Sequence, residues 1–167
     1  MSERNVIIAV FLITILILGG GIFLLTRSSS APSQSVTLSQ NAKVEVLEKT
    51  FDWGEIKYSK GNATKTFTIK NTGSDPLKLY NVKTSCACTN ANLTIDGKVS
   101  PQFGMHTQSS WIGEVAPGKE AILNVVFDQT FHGPTAVGPM ERLISMQTND
   151  LASPTLEFKL TGNVVKD

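Results

Sequence analysis

The stretch TLEFKLTGNVV, Thr155–Val165, decides the fold. Leu156, Phe158, Leu160 and Val164 fall on one side of an extended chain, and Glu157, Lys159 and Thr161 fall on the other. Side chains alternate along a strand, so this pattern predicts a strand with one face on a core and one in water. The same pattern recurs in short runs toward the N-terminus. Residues 142–148 come before the turn formers Asn149-Asp150, and residues 120–127 follow the turn Ala116-Pro117-Gly118-Lys119. Residues 77–86 form another run. Residues 64–71 place Phe67 and Ile69 on one face, and residues 43–49 do the same with Val44 and Val46. FDWGEI, residues 51–56, reads as a short aromatic turn and strand. In the turn Asn71-Thr72-Gly73-Ser74-Asp75-Pro76, Gly73 is expected to supply a positive φ and Pro76 to stop strand pairing.

About seven such strands, with turn signals every ten residues or so, predict an all-β chain folded as an immunoglobulin-like β-sandwich. The antibody pattern of Cys, Trp and Cys is absent, so the apolar core must hold the sheets together. Trp53, Trp111 and Met146 are expected in that core, Met140 in a strand, and Gly54 and Gly118 at turns. Asp52, Glu55 and Glu114 read as solvent-facing. Two stretches, 89–110 and 128–139 (DQTFHGPTAVGP), are rich in turn formers and are expected to be long loops, where a rigid scaffold displays binding groups.

Residues 6–25, VIIAVFLITILILGGGIFLL, carry no charge. A helix of this length matches the roughly 30 Å hydrocarbon core of a bilayer. The sequence predicts a cytoplasmic tail at 1–5, a transmembrane anchor at 6–26, a flexible Ser/Pro/Gln tether at 27–42 and the β domain at 43–167. Arg4 and Arg27 nearly balance across the span, so charge alone orients it weakly. The tail is placed inside because a cytoplasmic β domain has no evident use for an anchor. The expected location is the cytoplasmic membrane, single-pass, with the domain on the extracytoplasmic side. A cleaved signal peptide ending near Ser29-Ser30-Ala31 is the competing reading. Its apolar core is usually only about 7–15 residues, and Pro32 is a poor first residue after cleavage. Both readings export the domain.

Several segments occur together in order: FDWGEI at 51–56, KTFTIKNTGSDPLKLYNV at 65–82, SCACT at 85–89, VAPGKEAILNVVFD at 115–128 and ISMQTND at 144–150. With them the chain resembles the bacterial family of domains of unknown function 1573, related to the Hydin-like branch of Ig-fold modules. The resemblance covers roughly residues 44–164. It implies an Ig-like sandwich, often exported, with no established activity. Some members similarly pair the Cys-x-Cys with a Gly-Met-His loop and a Phe-His-Gly-Pro loop, as at Gly104-Met105-His106 and Phe131-His132-Gly133-Pro134 here.

The chain has two cysteines, Cys86 and Cys88, and two histidines, His106 and His132, with Met105 beside the first histidine. In an extended strand Cys86 and Cys88 point to the same face with Cβ atoms roughly 6.5 Å apart. That is too far for a disulfide, which needs about 3.8 Å, yet both sulfurs can reach one metal ion. If the segment turns, a small-ring disulfide forms instead, which an oxidising compartment favours. Thiolate, imidazole and thioether suit a soft or borderline ion. Copper(I) accepts all three, and zinc accepts two Cys and two His. The candidate metal set is therefore Cys86, Cys88, Met105, His106 and His132, with copper(I) ahead of zinc because Met105 can join. The plain alternatives are a disulfide or strand-end cysteines, ordinary loop histidines, and a Met that plugs the end of the sandwich.

Catalytic fingerprints are absent: no Gly-x-Ser-x-Gly, no Walker or dinucleotide-binding motif, no His-Glu-x-x-His. A Cys–His nucleophile pair has no third residue to orient it. With a net charge of +1 and no basic block, nucleic-acid binding has no electrostatic footprint. The expectation is a non-enzymatic binding or structural module that meets a protein partner in the cell envelope. An extracytoplasmic copper(I) protein is the alternative, and a thiol redox protein a third reading.

Overall fold

The computed structural model describes residues 3, 4, 8, 12–17 and 36–166. The chain divides into two units, Met1–Ser35 and Val36–Asp167. In the first, residues 12–17 are helical, and Leu12, Ile13, Ile15, Leu16 and Ile17 are all exposed. The expected tail and anchor lie mostly outside the described residues. No helix among those described is long and apolar enough to cross a membrane.

In the second unit the alternating runs form strands β1 (Val44–Glu45), β2 (Thr50–Lys57), β3 (Ala63–Asn71), β4 (Leu77–Thr84) and β5 (Thr89–Ile95). They continue as β6 (Lys98–Val99), β7 (Ile112–Val115), β8 (Glu120–Phe127), β9 (Gly138–Thr148) and β10 (Thr155–Val165). One sheet has the order β1-β3-β8-β5-β6 and the other β2-β10-β9-β4-β7. Pairing is antiparallel except between β2 and β10, which run parallel. This is an all-β sandwich. It has ten strands among the described residues rather than about seven.

The main addition is β5, which falls inside the expected loop 89–110. Thr89, Ala91, Leu93 and Ile95 are buried and the residues between them are not. The asparagines that hid this strand lie on its outer face, where Asn124 of β8 donates to Asn92 at 2.9 Å. Asp96 and Gly97, with φ of 46° and 75°, form a two-residue turn into β6. Positive φ at both central positions suits the twist of a tight hairpin, and Asp-Gly supplies it.

The core lies between the sheets. Leu156, Phe158 and Leu160 of β10 are fully buried, as their alternation predicts, and Phe158 meets Phe67 of β3 across the interface at 4.9 Å. Trp53 and Trp111 pack on the edge of this core, and Met146 lies within it. Buried amides staple the turns. Asn71 donates to the carbonyls of Asp75 and Val115, and its own oxygen accepts from Gly73 N. Asn149 accepts from Lys78 N and donates to the Pro76 carbonyl.

One boundary shifts. The expected tether end at 42 belongs to the sandwich: Ser39 bridges to Asp150, and Ala42 is completely buried. This packing also explains Gly73, whose φ is not positive. A Cβ there would lie 2.1 Å from the Asn41 carbonyl, so glycine admits the incoming chain rather than a left-handed turn.

Candidate metal centre

At one end of the sandwich the chain leaves β4 in one sheet and enters β5 in the other. Residues 85–88, Ser-Cys-Ala-Cys, make that crossing. Thr89 N donates to the Cys86 carbonyl at 3.1 Å, closing a turn. The buried Thr84 hydroxyl sits within hydrogen-bonding distance of the Cys86 and Thr89 carbonyls. The turn brings the Cys86 and Cys88 Cα atoms to 5.2 Å, inside the disulfide range. An extended chain would hold them about two residue rises apart, roughly 6.6 Å. Of the two geometries open in the sequence, the turned one is present, and Cys86 and Cys88 are joined as a disulfide.

The two sulfurs sit in different surroundings. Cys88 is 1% exposed, packed with Ile56, Phe127 and Val164 in a small apolar cluster separate from the main core. Cys86 lies on the rim, partly exposed. Trp53 stacks on Phe127 beside them, and Met140 packs on the same cluster. Arg142 lays its guanidinium over the Phe127 ring at 5.2 Å and donates from Nε to Cys88 Sγ at 3.1 Å. Burial holds its pKa below the usual arginine value, but a guanidinium keeps its proton in any physiological medium. Among the described residues no carboxylate forms an ion pair with it.

The loop between β8 and β9 brings the imidazole. Asp128 Oδ1 accepts from Thr130 N and Oγ1, which fixes the first bend. Gln129 reaches inward to the carbonyls of the turn after β2, tying the loop down. His132 then stands with Nε2 at 3.6 Å from Cys86 Sγ. The ligand atoms of Cys86, Cys88 and His132 lie within 4.8 Å of one another, and they are the one such His/Cys/Asp/Glu group among the described residues. A cleft of about 210 Å³ opens beside them, lined by Phe127, His132, Met140 and Arg142. Phe131 and Val137 of the same loop are 53% and 41% exposed. Met105 and His106 occupy a separate exposed turn after Phe103, and His106 does not join the converging group.

Arg142 and Met140 are missing from the expected site, although Met140 is expected in a strand. Their signal was the strand period. Met140, Arg142, Ile144 and Met146 share parity in β9, and the last two are buried. An arginine in phase with core residues is a charge turned inward.

The disulfide contributes little to stability. Its closed loop spans three residues, and the chain-entropy relation then gives about 1.6 kcal/mol.

The sequence profile of the family described as "Protein of unknown function (DUF1573)" matches residues 44–164. The chain belongs to that family. No protein of curated function is detectably similar in sequence. A crystal structure of a protein of unknown function from Porphyromonas gingivalis W83 shares the fold: 19% identity, TM-score 0.57, covering 79% of this chain and 51% of that one. The chain thus spans about half the length of that relative. Two more distant likenesses are the ASH / PapD-like domain of human CEP192 and the E. coli chaperone DraB. The first has 16% identity and a TM-score of 0.48, over 84% of this chain and 97% of that domain. The second has 9% and 0.42, over 75% and 55%.

Proposed function

We propose that this DUF1573 domain is a membrane-anchored extracytoplasmic module that takes up copper(I) when its disulfide is reduced, using Cys86, Cys88 and His132. The observation that carries this is the convergence of two sulfurs and one imidazole on one sandwich end. Reduction lets the two sulfurs move apart to the separation that a shared ion requires. With metal–donor bonds of about 2.0–2.3 Å, ligand atoms stand about 4 Å apart, close to the spread already present. Two thiolates around one copper(I) leave a net negative complex, and Arg142 beside Cys88 Sγ supplies the compensating charge. Met140, packed against the same cluster, offers a thioether nearby. Copper(I) is preferred over zinc because the set is sulfur-rich and lacks a fourth strong donor.

The anchor is supported by the uncharged run 6–25 and by the exposed apolar side chains of Leu12, Ile13, Ile15, Leu16 and Ile17 in the helical residues 12–17. Such a helix belongs in an apolar medium. A protein partner in the envelope is the second reading, favoured by Phe131 and Val137, exposed on the loop that carries His132. Photo-crosslinking from position 131 in cells tests it, and crosslinks that appear equally from a remote surface position would refute it.

The copper reading is tested by titrating the full chain in detergent, reduced and oxidised, with copper(I) held by bathocuproine disulfonate. One equivalent binds the reduced chain and none the oxidised one. Cys86→Ser and Cys88→Ser each abolish uptake, and His132→Ala weakens it at least about tenfold. Met105→Ala and His106→Ala change nothing. Uptake that survives loss of both cysteines overturns the proposal.

A further inference from the structure

Arg142 is only partly buried: its Nη1 donates to the Glu141 carbonyl at 2.6 Å on the exposed side, and no carboxylate among the described residues pairs with it. Its Nε–H points at a disulfide sulfur, which accepts hydrogen bonds poorly. An anion at that sulfur would complete the arrangement. Only breaking the Cys86–Cys88 bond can create one there, because Cys88 is sealed from solvent. The other sulfur is on the rim, open to an incoming group and facing His132 Nε2. One end of the bond is thus reachable and the other is prepared to receive an electron pair. The short loop argues in the same direction, because a bond worth so little to the fold costs little to open.

We infer that the Cys86–Cys88 disulfide is a polarised thiol-exchange site that oxidises a dithiol of an exported polypeptide, with Cys86 the sulfur attacked and Cys88 the sulfur that leaves. A client thiolate attacks Cys86 Sγ and forms a mixed disulfide. The Cys86–Cys88 bond breaks, and its electron pair leaves as the Cys88 thiolate, against Arg142. The client's second thiol gives up its proton to solvent. As a thiolate it attacks the client sulfur of the mixed disulfide, closing the client's own disulfide. Cys86 departs as a thiolate, 3.6 Å from His132 Nε2. The client dithiol loses two electrons and the Cys86/Cys88 pair gains them. Phe131 and Val137 beside the cleft offer apolar contact for a client segment that is not yet folded. The exchange needs no metal and stands apart from copper uptake.

The test uses the oxidised full chain in detergent with a chelator present, so copper plays no part in its outcome. Reduced glutathione is the attacking thiol, and free thiols are trapped with N-ethylmaleimide. Fragmentation mass spectrometry then locates the glutathione. It is expected on Cys86 with the maleimide on Cys88. Arg142→Gln is expected to slow opening about tenfold or more, the scale of a hydrogen bond to a charged group, and Arg142→Lys to restore much of the rate. Glutathione found on Cys88, or opening at the native rate in Arg142→Gln, overturns the inference. The first measurement is made on the native chain, so it does not depend on any variant folding.

Discussion

Between the sheets, Phe67 and Phe158 meet inside the larger hydrophobic cluster. At the end of the same sandwich, Cys88 and Phe127 share a smaller cluster with a guanidinium, and an imidazole stands just outside it. The first region spends its sequence on filling space, and nothing in it reacts. The second holds a half-buried guanidinium with no carboxylate partner among the described residues, and a short-range crosslink that adds little to the fold. Taking a charge even partly out of water is costly, so its presence at one end marks where packing has yielded to chemistry.

The comparison breaks most easily at the core. Phe158→Ala removes a fully buried ring and is expected to cost about 3–5 kcal/mol in denaturant unfolding. Loss of no more than 1 kcal/mol would mean that the sheets are not held there. Next comes Asn71→Ala, which strands the Asp75 and Val115 carbonyls and frees Gly73 N. A cost of about 2–3 kcal/mol is expected, read from the same unfolding curves.

The reactive end should answer differently. The double change Cys86→Ser with Cys88→Ser is expected to cost at most about 2 kcal/mol and to leave the β circular-dichroism signal intact. A collapse of the fold would make the disulfide a structural staple. Smallest of all, His132→Ala should change stability by about 0.5 kcal/mol or less, as for an exposed side chain, while copper(I) affinity falls. A variant that loses stability but keeps copper would reverse the roles assigned to the two regions.

Much of the sandwich was legible in the sequence because a half-buried strand announces itself by alternation. β10 is plain in this sense: Leu156, Phe158, Leu160 and Val164 share a face and are the buried residues. In β8 the buried residues Ala121, Leu123, Val125 and Phe127 keep the same period, although Ile122 and Val126 on the other face are apolar too. β5 was hidden because Asn90 and Asn92 disfavour a strand locally, and Asn92 is accommodated by accepting from Asn124 of β8. The two-residue strands β1 and β6 are too short to carry a period at all. The site was legible in its residue types but not in its grouping. His106 and His132 are equivalent in sequence, and only the fold brings one to the cysteines, across 46 residues of chain. Arg142 was visible as a charge in phase with Ile144 and Met146, but only burial shows that its partner is sulfur.

X-ray absorption at the copper edge of the reduced, copper(I)-loaded full chain tests the reactive end most directly, because it counts the donor atoms. The account predicts two sulfur donors and one imidazole nitrogen, with the nitrogen lost in His132→Ala and retained in His106→Ala. A shell of nitrogen and oxygen only, or one unchanged by His132→Ala, would contradict it.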